Sequence, residues 1–312
     1  MPLLRENANA LEMLEEMGIR PLHELSWRAA REQSNRLSAA NPPGPAVASA
    51  EDVAVPTADG AEVTVRLLVP EGEVRGVITY FHGGGWVIGN IDGYDTLARK
   101  IATMTGWAVA NVEYRLAPEH QYPTAADDAT TAFEWVAANS ADIVAGHGAP
   151  NPVPLVLAGD SAGGNLAAVV ARRMRDRGGP RAALQVLVYP VTDADVDVPS
   201  YHDPENQLLL SRDTMIWFWD HYAPDPDQRV EPDASPLQAA DLRGLPPALV
   251  ITVEYDPLRD EGEAYAARLA GAAVPTELVH LPGQMHAFFS IVTLPGHEEA
   301  IARIKQSLDR IT

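Results

Sequence analysis

Leu155-Val-Leu-Ala-Gly-Asp-Ser-Ala-Gly-Gly-Asn165 is the stretch on which the fold turns. Its first four residues form a short apolar run, the form a buried parallel strand takes. Residues Asn165–Asp176 read as a helix, so Gly159-Asp-Ser-Ala-Gly163 joins strand to helix with almost nothing between. That pentapeptide fits G-x-S-x-G, a sharp strand-to-helix turn with serine at its apex. The apex residue sits in a strained backbone conformation, which requires neighbours without bulky side chains. In return the Ser161 hydroxyl stands above the sheet, and the next backbone N–H is aimed at the same point. The pentapeptide alone is a weak signal; the strand before it and the helix after it make it specific.

Upstream, Gly76–Phe81 reads as another strand and runs straight into His82-Gly83-Gly84-Gly85. Three consecutive glycines let a backbone approach a ligand closely with its N–H groups uncovered. Donors fixed where negative charge appears on a carbonyl oxygen are what acyl transfer requires. A phosphate cradle would need a basic residue in the run, and there is none. His82 is read as holding the loop by hydrogen bonds rather than as a base.

Downstream, a serine nucleophile needs a base, and the base needs an orienting acid. After an elbow of this kind the acid and then the histidine follow in chain order. Asp256 comes just past the strand Ala248–Val253, and His286 just past the strand Thr276–Leu281. Both therefore fall at the carboxyl ends of strands, where open α/β sheets bind ligands. Glu254, Asp260 and Glu261 lie close to Asp256, but the last two belong to the following helix. His280 falls inside a strand. The alternation Asp193, Asp195, Asp197 reads as a solvated acidic loop, and no metal site is expected. Trp86 and Phe288 are expected to wall an apolar pocket; the aromatics of Trp217-Phe-Trp219 read as core.

Around these residues the chain alternates strands and helices. Glu62–Val69, Trp107–Val112 and Leu184–Tyr189 read as further strands, and Thr124–Asn139 as a helix. The alternation predicts an α/β fold, a mostly parallel sheet with helices on both faces. Two regions depart from the rhythm. Residues 1–45 read as helices, with Leu4, Ala8, Leu11 and Leu14 near one face, Gly18 as a stop and Asn41-Pro-Pro-Gly-Pro45 as a break. Residues 191–245 are rich in Pro and Asp and hold one clear helix, Ser211–Tyr222, far too long for an ordinary loop. The two together are expected to cap a catalytic domain formed by residues 46–190 and 246–312.

Composition narrows the partners. A formal charge of −20 opposes binding to nucleic acid or to anionic membranes. No apolar run approaches the ~20 residues that span a bilayer, and the acidic stretch MPLLRENANALEMLEEMG does not read as a signal peptide, so a cytoplasmic protein is expected. The absence of cysteine removes thiolate nucleophiles, zinc–thiolate sites and iron–sulfur clusters together.

Four runs, Phe81-His-Gly-Gly-Gly-Trp86, Tyr114-Arg-Leu-Ala-Pro-Glu119, Gly159-Asp-Ser-Ala-Gly-Gly164 and Asp256-Pro-Leu-Arg-Asp-Glu-Gly262, occur in this order over about residues 75–290. With them the chain resembles the bacterial hormone-sensitive-lipase-like carboxylesterases of the GDSAG branch, within the α/β-hydrolase superfamily. The resemblance implies the α/β-hydrolase fold with a helical cap. It implies Ser161 as nucleophile, His286 as base and then acid, Asp256 as its orienter, and an oxyanion hole from the N–H groups of Gly84, Gly85 and Ala162. It further implies a preference for short- to medium-chain acyl esters, no cofactor, and pairing as a homodimer. The chain departs from the family at Gly283-Gln-Met-His-Ala-Phe288, where Gln284 and Ala287 replace the usual Met and Gly. An amidase, lactonase or carbamate hydrolase would use the same machinery. The plant gibberellin receptors resemble the fold too, as binders without the histidine; here His286 is present.

Overall fold

The computed structural model describes residues 1–294 and 296–311. Its strands are β1 (Ser49–Pro56), β2 (Glu62–Val69), β3 (Val77–Phe81), β4 (Ala108–Glu113), β5 (Leu155–Asp160), β6 (Leu184–Val188), β7 (Ala248–Tyr255) and β8 (Thr276–Met285). They form one sheet in the order β1-β2-β4-β3-β5-β6-β7-β8. The pairs β1–β2 and β2–β4 are antiparallel and the rest parallel, so β3, β4, β5, β6, β7 and β8 all end at the same edge.

The helices are α1 (Arg5–Glu16), α2 (Trp27–Ser38), α3 (Ile91–Thr105), α4 (Thr124–Ile143), α5 (Ala162–Arg177), α6 (Pro199–His202), α7 (Arg212–Tyr222), α8 (Pro226–Arg229), α9 (Arg259–Gly271) and α10 (Gly296–Leu308). Because successive strand residues point to opposite faces, the sheet divides the core in two. Val77, Leu157 and Val250 pack with α4, α5 and α9; Ile78, Val156 and Leu249 pack with α3 and α10. Among the described residues no helix is long and apolar enough to cross a membrane.

Local chemistry sets the ends of these elements. The Asn90 side chain caps α3 by accepting from the Gly93 N–H, and Gly106 ends it in the left-handed region at φ 74°. Ser211 caps α7 in the same way, accepting from Thr214 N–H. The elbow is the tightest junction. A Cβ at Gly163 would lie 1.9 Å from the Phe81 carbonyl oxygen, and one at Gly159 would lie 2.3 Å from the Gly163 carbonyl. Nothing larger than glycine fits either place without moving backbone.

Leu4, Ala8, Leu11 and Leu14 are only half-buried, and the residue α1 buries is Asn7. Residues 191–245 form no strand of the sheet; they carry α6, α7 and α8. The N-terminal segment meets this insertion where His23 Nδ1 lies 3.0 Å from Thr214 Oγ1. It meets the core where Arg31 of α2 donates to the carbonyls of Val87 and Ala117 and pairs with Glu119.

Candidate active site

Three side chains converge at the carboxyl edge of the sheet. Ser161 follows β5 with φ 55° and ψ −120°, a strained conformation for a residue with a Cβ. Its Oγ lies 3.1 Å from His286 Nε2, and His286 Nδ1 lies 2.8 Å from Asp256 Oδ2. Asp256 Oδ1 accepts from Leu258 N–H at 2.8 Å, so both carboxylate oxygens are held. The backbone fixes His286 as well, its N–H donating to the Tyr255 carbonyl at 3.1 Å. All three residues are buried; Ser161 and His286 are each 7% exposed, enough to be reached but not to be bathed in solvent. The Tyr189 ring packs on the imidazole with centroids 4.4 Å apart.

The glycine loop after β3 stands beside the serine because β3 and β5 are neighbours, Phe81 opposite Gly159. Among the described residues, no group accepts from the N–H of Gly84, Gly85 or Ala162. Gly83 N–H, by contrast, donates to Asp160 Oδ1. The loop depends on glycine: Gly84 has φ 115°, and a Cβ there would lie 2.2 Å from the Ile88 carbonyl oxygen. A Cβ on Gly85 would lie 2.2 Å from Phe218 of α7, so the insertion lies directly on the loop.

His82 is fully buried, stacks on Tyr114 with centroids 4.3 Å apart, and places Nδ1 2.7 Å from the Gly83 carbonyl. Burial pushes its pKa down to about 4, with the Gly83 bond opposing, so it is a neutral ring inside the loop. The other rivals are engaged elsewhere. Glu254 accepts from Gly283 N–H, and Asp260 accepts from Ser200 N–H. Glu261 is buried and accepts from Thr192 N–H and Tyr201 O–H; burial holds its carboxyl well above the usual range. His280 of β8 faces Thr252 Oγ1 of β7. Asp193 accepts from Gln238, and Asp197 pairs with Arg212.

The two residues expected to wall a pocket lie beside the site within the core. Trp86 and Phe288 are fully buried and offer no accessible surface to a ligand. Trp86 stacks on Tyr222 of α7, planes 9° apart and centroids 4.1 Å, and touches Trp219; Phe288 packs edge-on to Tyr189. A tryptophan after a glycine loop signals an aromatic near the site, but only the packing tells a wall from a support.

Sequence reasoning missed Asp160, the unspecified second residue of the elbow. It is buried and accepts from Tyr80 O–H at 2.7 Å, Tyr94 O–H at 3.0 Å and Gly83 N–H at 3.0 Å. Burial raises its pKa; the bonds from Tyr80, Tyr94 and Gly83 pull the other way. One carboxylate thus ties the strand that ends in the serine to the loop that supplies the free N–H groups. Asp160→Asn puts an NH₂ against this set of donors. It is expected to destabilise the fold by ~2 kcal/mol in urea unfolding and to lower kcat by about tenfold. Unchanged kcat would show that the loop holds its shape without the carboxylate.

The chain is similar to known proteins over most of its length. The family described as alpha/beta hydrolase fold matches residues 78–290. The chain is 40% identical over 238 residues to carboxylesterase NlhH of Mycobacterium tuberculosis, covering 75% of this chain and 73% of that one. It is 38% identical over 301 residues to an ethyl acetate hydrolase of Pseudomonas putida, covering 93% and 92%. Among solved structures, a hyperthermophilic esterase from Pyrobaculum calidifontis superposes with a TM-score of 0.89 at 36% identity, covering 100% of both chains.

Proposed function

The chain belongs to the α/β-hydrolase family, and on that footing we propose Ser161 as nucleophile, His286 as proton carrier and Asp256 as orienting acid of an ester hydrolysis. The protein is a carboxylesterase, a serine hydrolase of small-molecule carboxylic esters. What supports the residue assignment above all is the unbroken line from Ser161 Oγ through His286 to Asp256 Oδ2.

In the first step Ser161 Oγ attacks the ester carbonyl carbon while His286 Nε2 takes its proton. Asp256 holds Nδ1–H, which fixes the tautomer that leaves Nε2 free to accept and stabilises the imidazolium that forms. The carbonyl oxygen becomes an oxyanion, received by the N–H groups of Gly84, Gly85 and Ala162. Donors already in place need no reorganisation as the charge develops. Collapse breaks the C–O bond, and His286 returns the proton to the leaving alkoxide. Water then attacks the acyl-enzyme with His286 again as base, releasing the acid and restoring Ser161 Oγ–H. Atoms and charge balance with water as the only co-reactant.

Helices α1 and α2 and residues 191–245 act as the cap over this site, a reading supported by the contact of Phe218 with Gly85 and of His23 with Thr214. Short to medium acyl chains are the proposed range, supported by the narrow exposure of Ser161 and by a relative named for ethyl acetate. Pairing of two copies belongs to the same reading, supported by the family resemblance; sedimentation velocity tests it.

The decisive experiment is a p-nitrophenyl ester series from acetate to dodecanoate beside a matched p-nitroanilide. Turnover falling off towards the long chains, with the anilide far slower, is the expected result. A faster anilide would make the protein an amidase, and saturable binding without turnover would make it a receptor.

A further inference from the structure

Asn7 is the one residue of α1 that is fully buried, at 1% exposure. A buried amide NH₂ must find acceptors, and this one finds two. Its Nδ2 donates to the Gly283 carbonyl at 3.1 Å and to Gln284 Oε1 at 2.9 Å. Leu4 N–H donates to the same Gly283 carbonyl at 2.9 Å, and Gly283 N–H donates to Glu254 Oε2 at 2.7 Å. Gly283 has φ 73°, and a Cβ there would lie 2.9 Å from Leu4 Cγ, so the N-terminal segment closes on its bare face. On its far side Gln284 lies against the start of α10, where a Cβ on Gly296 would come within 2.2 Å of Gln284 Nε2. The peptide so gripped is three residues before His286, and Glu254 is two residues before Asp256.

We infer that Asn7 and Gln284 are positioning residues for His286, so that α1 holds the turn bearing the base in line with Ser161. The inference rests on the roles proposed above for Ser161 and His286. Apolar contact would dock α1 in several nearby registers, whereas two directional bonds from a buried amide admit one. Gln284 stands where the family pattern has Met, so the partner of Asn7 is at the very point where this chain departs from that pattern. Neither residue touches substrate; they act through the backbone of residues 283–286.

The test compares Asn7→Ala, Gln284→Met and the double variant with wild type, each below its own melting temperature. The readouts are kcat and KM for p-nitrophenyl acetate and the rate at which a fluorophosphonate labels Ser161. Each single variant is expected to lose about tenfold in kcat, as a slightly misaligned base would, with KM within about twofold. Labelling should slow in parallel, because it needs the same proton transfer from Ser161 Oγ. The double variant should be little worse than the poorer single one, since both remove the bond between Asn7 and Gln284. Wild-type kcat and labelling in variants that merely melt earlier would overturn the inference and leave α1 a docking element. If Asn7→Ala does not fold, Gln284→Met decides alone, since it keeps the volume. A wild type that neither hydrolyses nor labels would instead overturn the underlying reading, and this one with it.

Discussion

Ser161→Ala is expected to lower kcat for short p-nitrophenyl esters by ~10⁵-fold or more, with the protein folded as before. The loss is large because, among the described residues, the hydrogen-bond partner of His286 Nε2 is Ser161 Oγ. Alanine fits the space and keeps the backbone, so the elbow and the free N–H groups of Gly84, Gly85 and Ala162 persist. A residual rate of ~10³-fold over uncatalysed hydrolysis should therefore remain, since the donors still receive the oxyanion when water attacks directly. Stopped-flow assays at millimolar ester, with circular dichroism as a check on folding, measure both. A variant within tenfold of wild type would remove Ser161 from the mechanism.

Asp256→Asn should cost ~10⁴-fold in kcat while leaving the melting temperature within a few degrees of wild type. Asparagine is nearly isosteric, and its carbonyl oxygen can still accept from Leu258 N–H as Asp256 Oδ1 does. The NH₂ group then faces His286 Nδ1 across the present 2.8 Å contact. A donor there demands an acceptor on Nδ1, which moves the imidazole proton to Nε2. An Nε2 that carries its proton cannot take one from Ser161. The imidazolium also loses its counter-charge. A deficit below tenfold would point to another orienter.

The parts of the fold that the sequence made legible are those whose information is local. β5, the elbow and α5 follow from an apolar run, two glycines with no room for a Cβ, and a helical stretch. β2 is legible because its buried and less buried residues nearly alternate, and β7 because it is an almost continuous apolar run. β1 escaped because it is an edge strand with nearly every residue exposed, so it shows no alternation. Residue roles followed the same division. Ser161, Asp256 and His286 occupy positions fixed by the order of strand ends. Trp86 and Phe288 were placed by chemistry alone, and whether an aromatic lines a pocket or fills the core behind it depends on distant partners such as Tyr222 and Tyr189. Asp160 and Asn7 were invisible for the related reason that each is defined by bonds to residues far along the chain.

The stacking of Trp86 under α7 bears on attempts to re-engineer the protein by exchange of modules. The insertion invites transplantation from relatives with other substrates, since it enters no strand of the sheet. Yet Phe218, Trp219 and Tyr222 form the ceiling against which Gly85 and Trp86 are set. A chimaera that discards them exchanges selectivity and rate together. The seam for a graft lies outside residues 218–222, with those aromatics kept as part of the recipient.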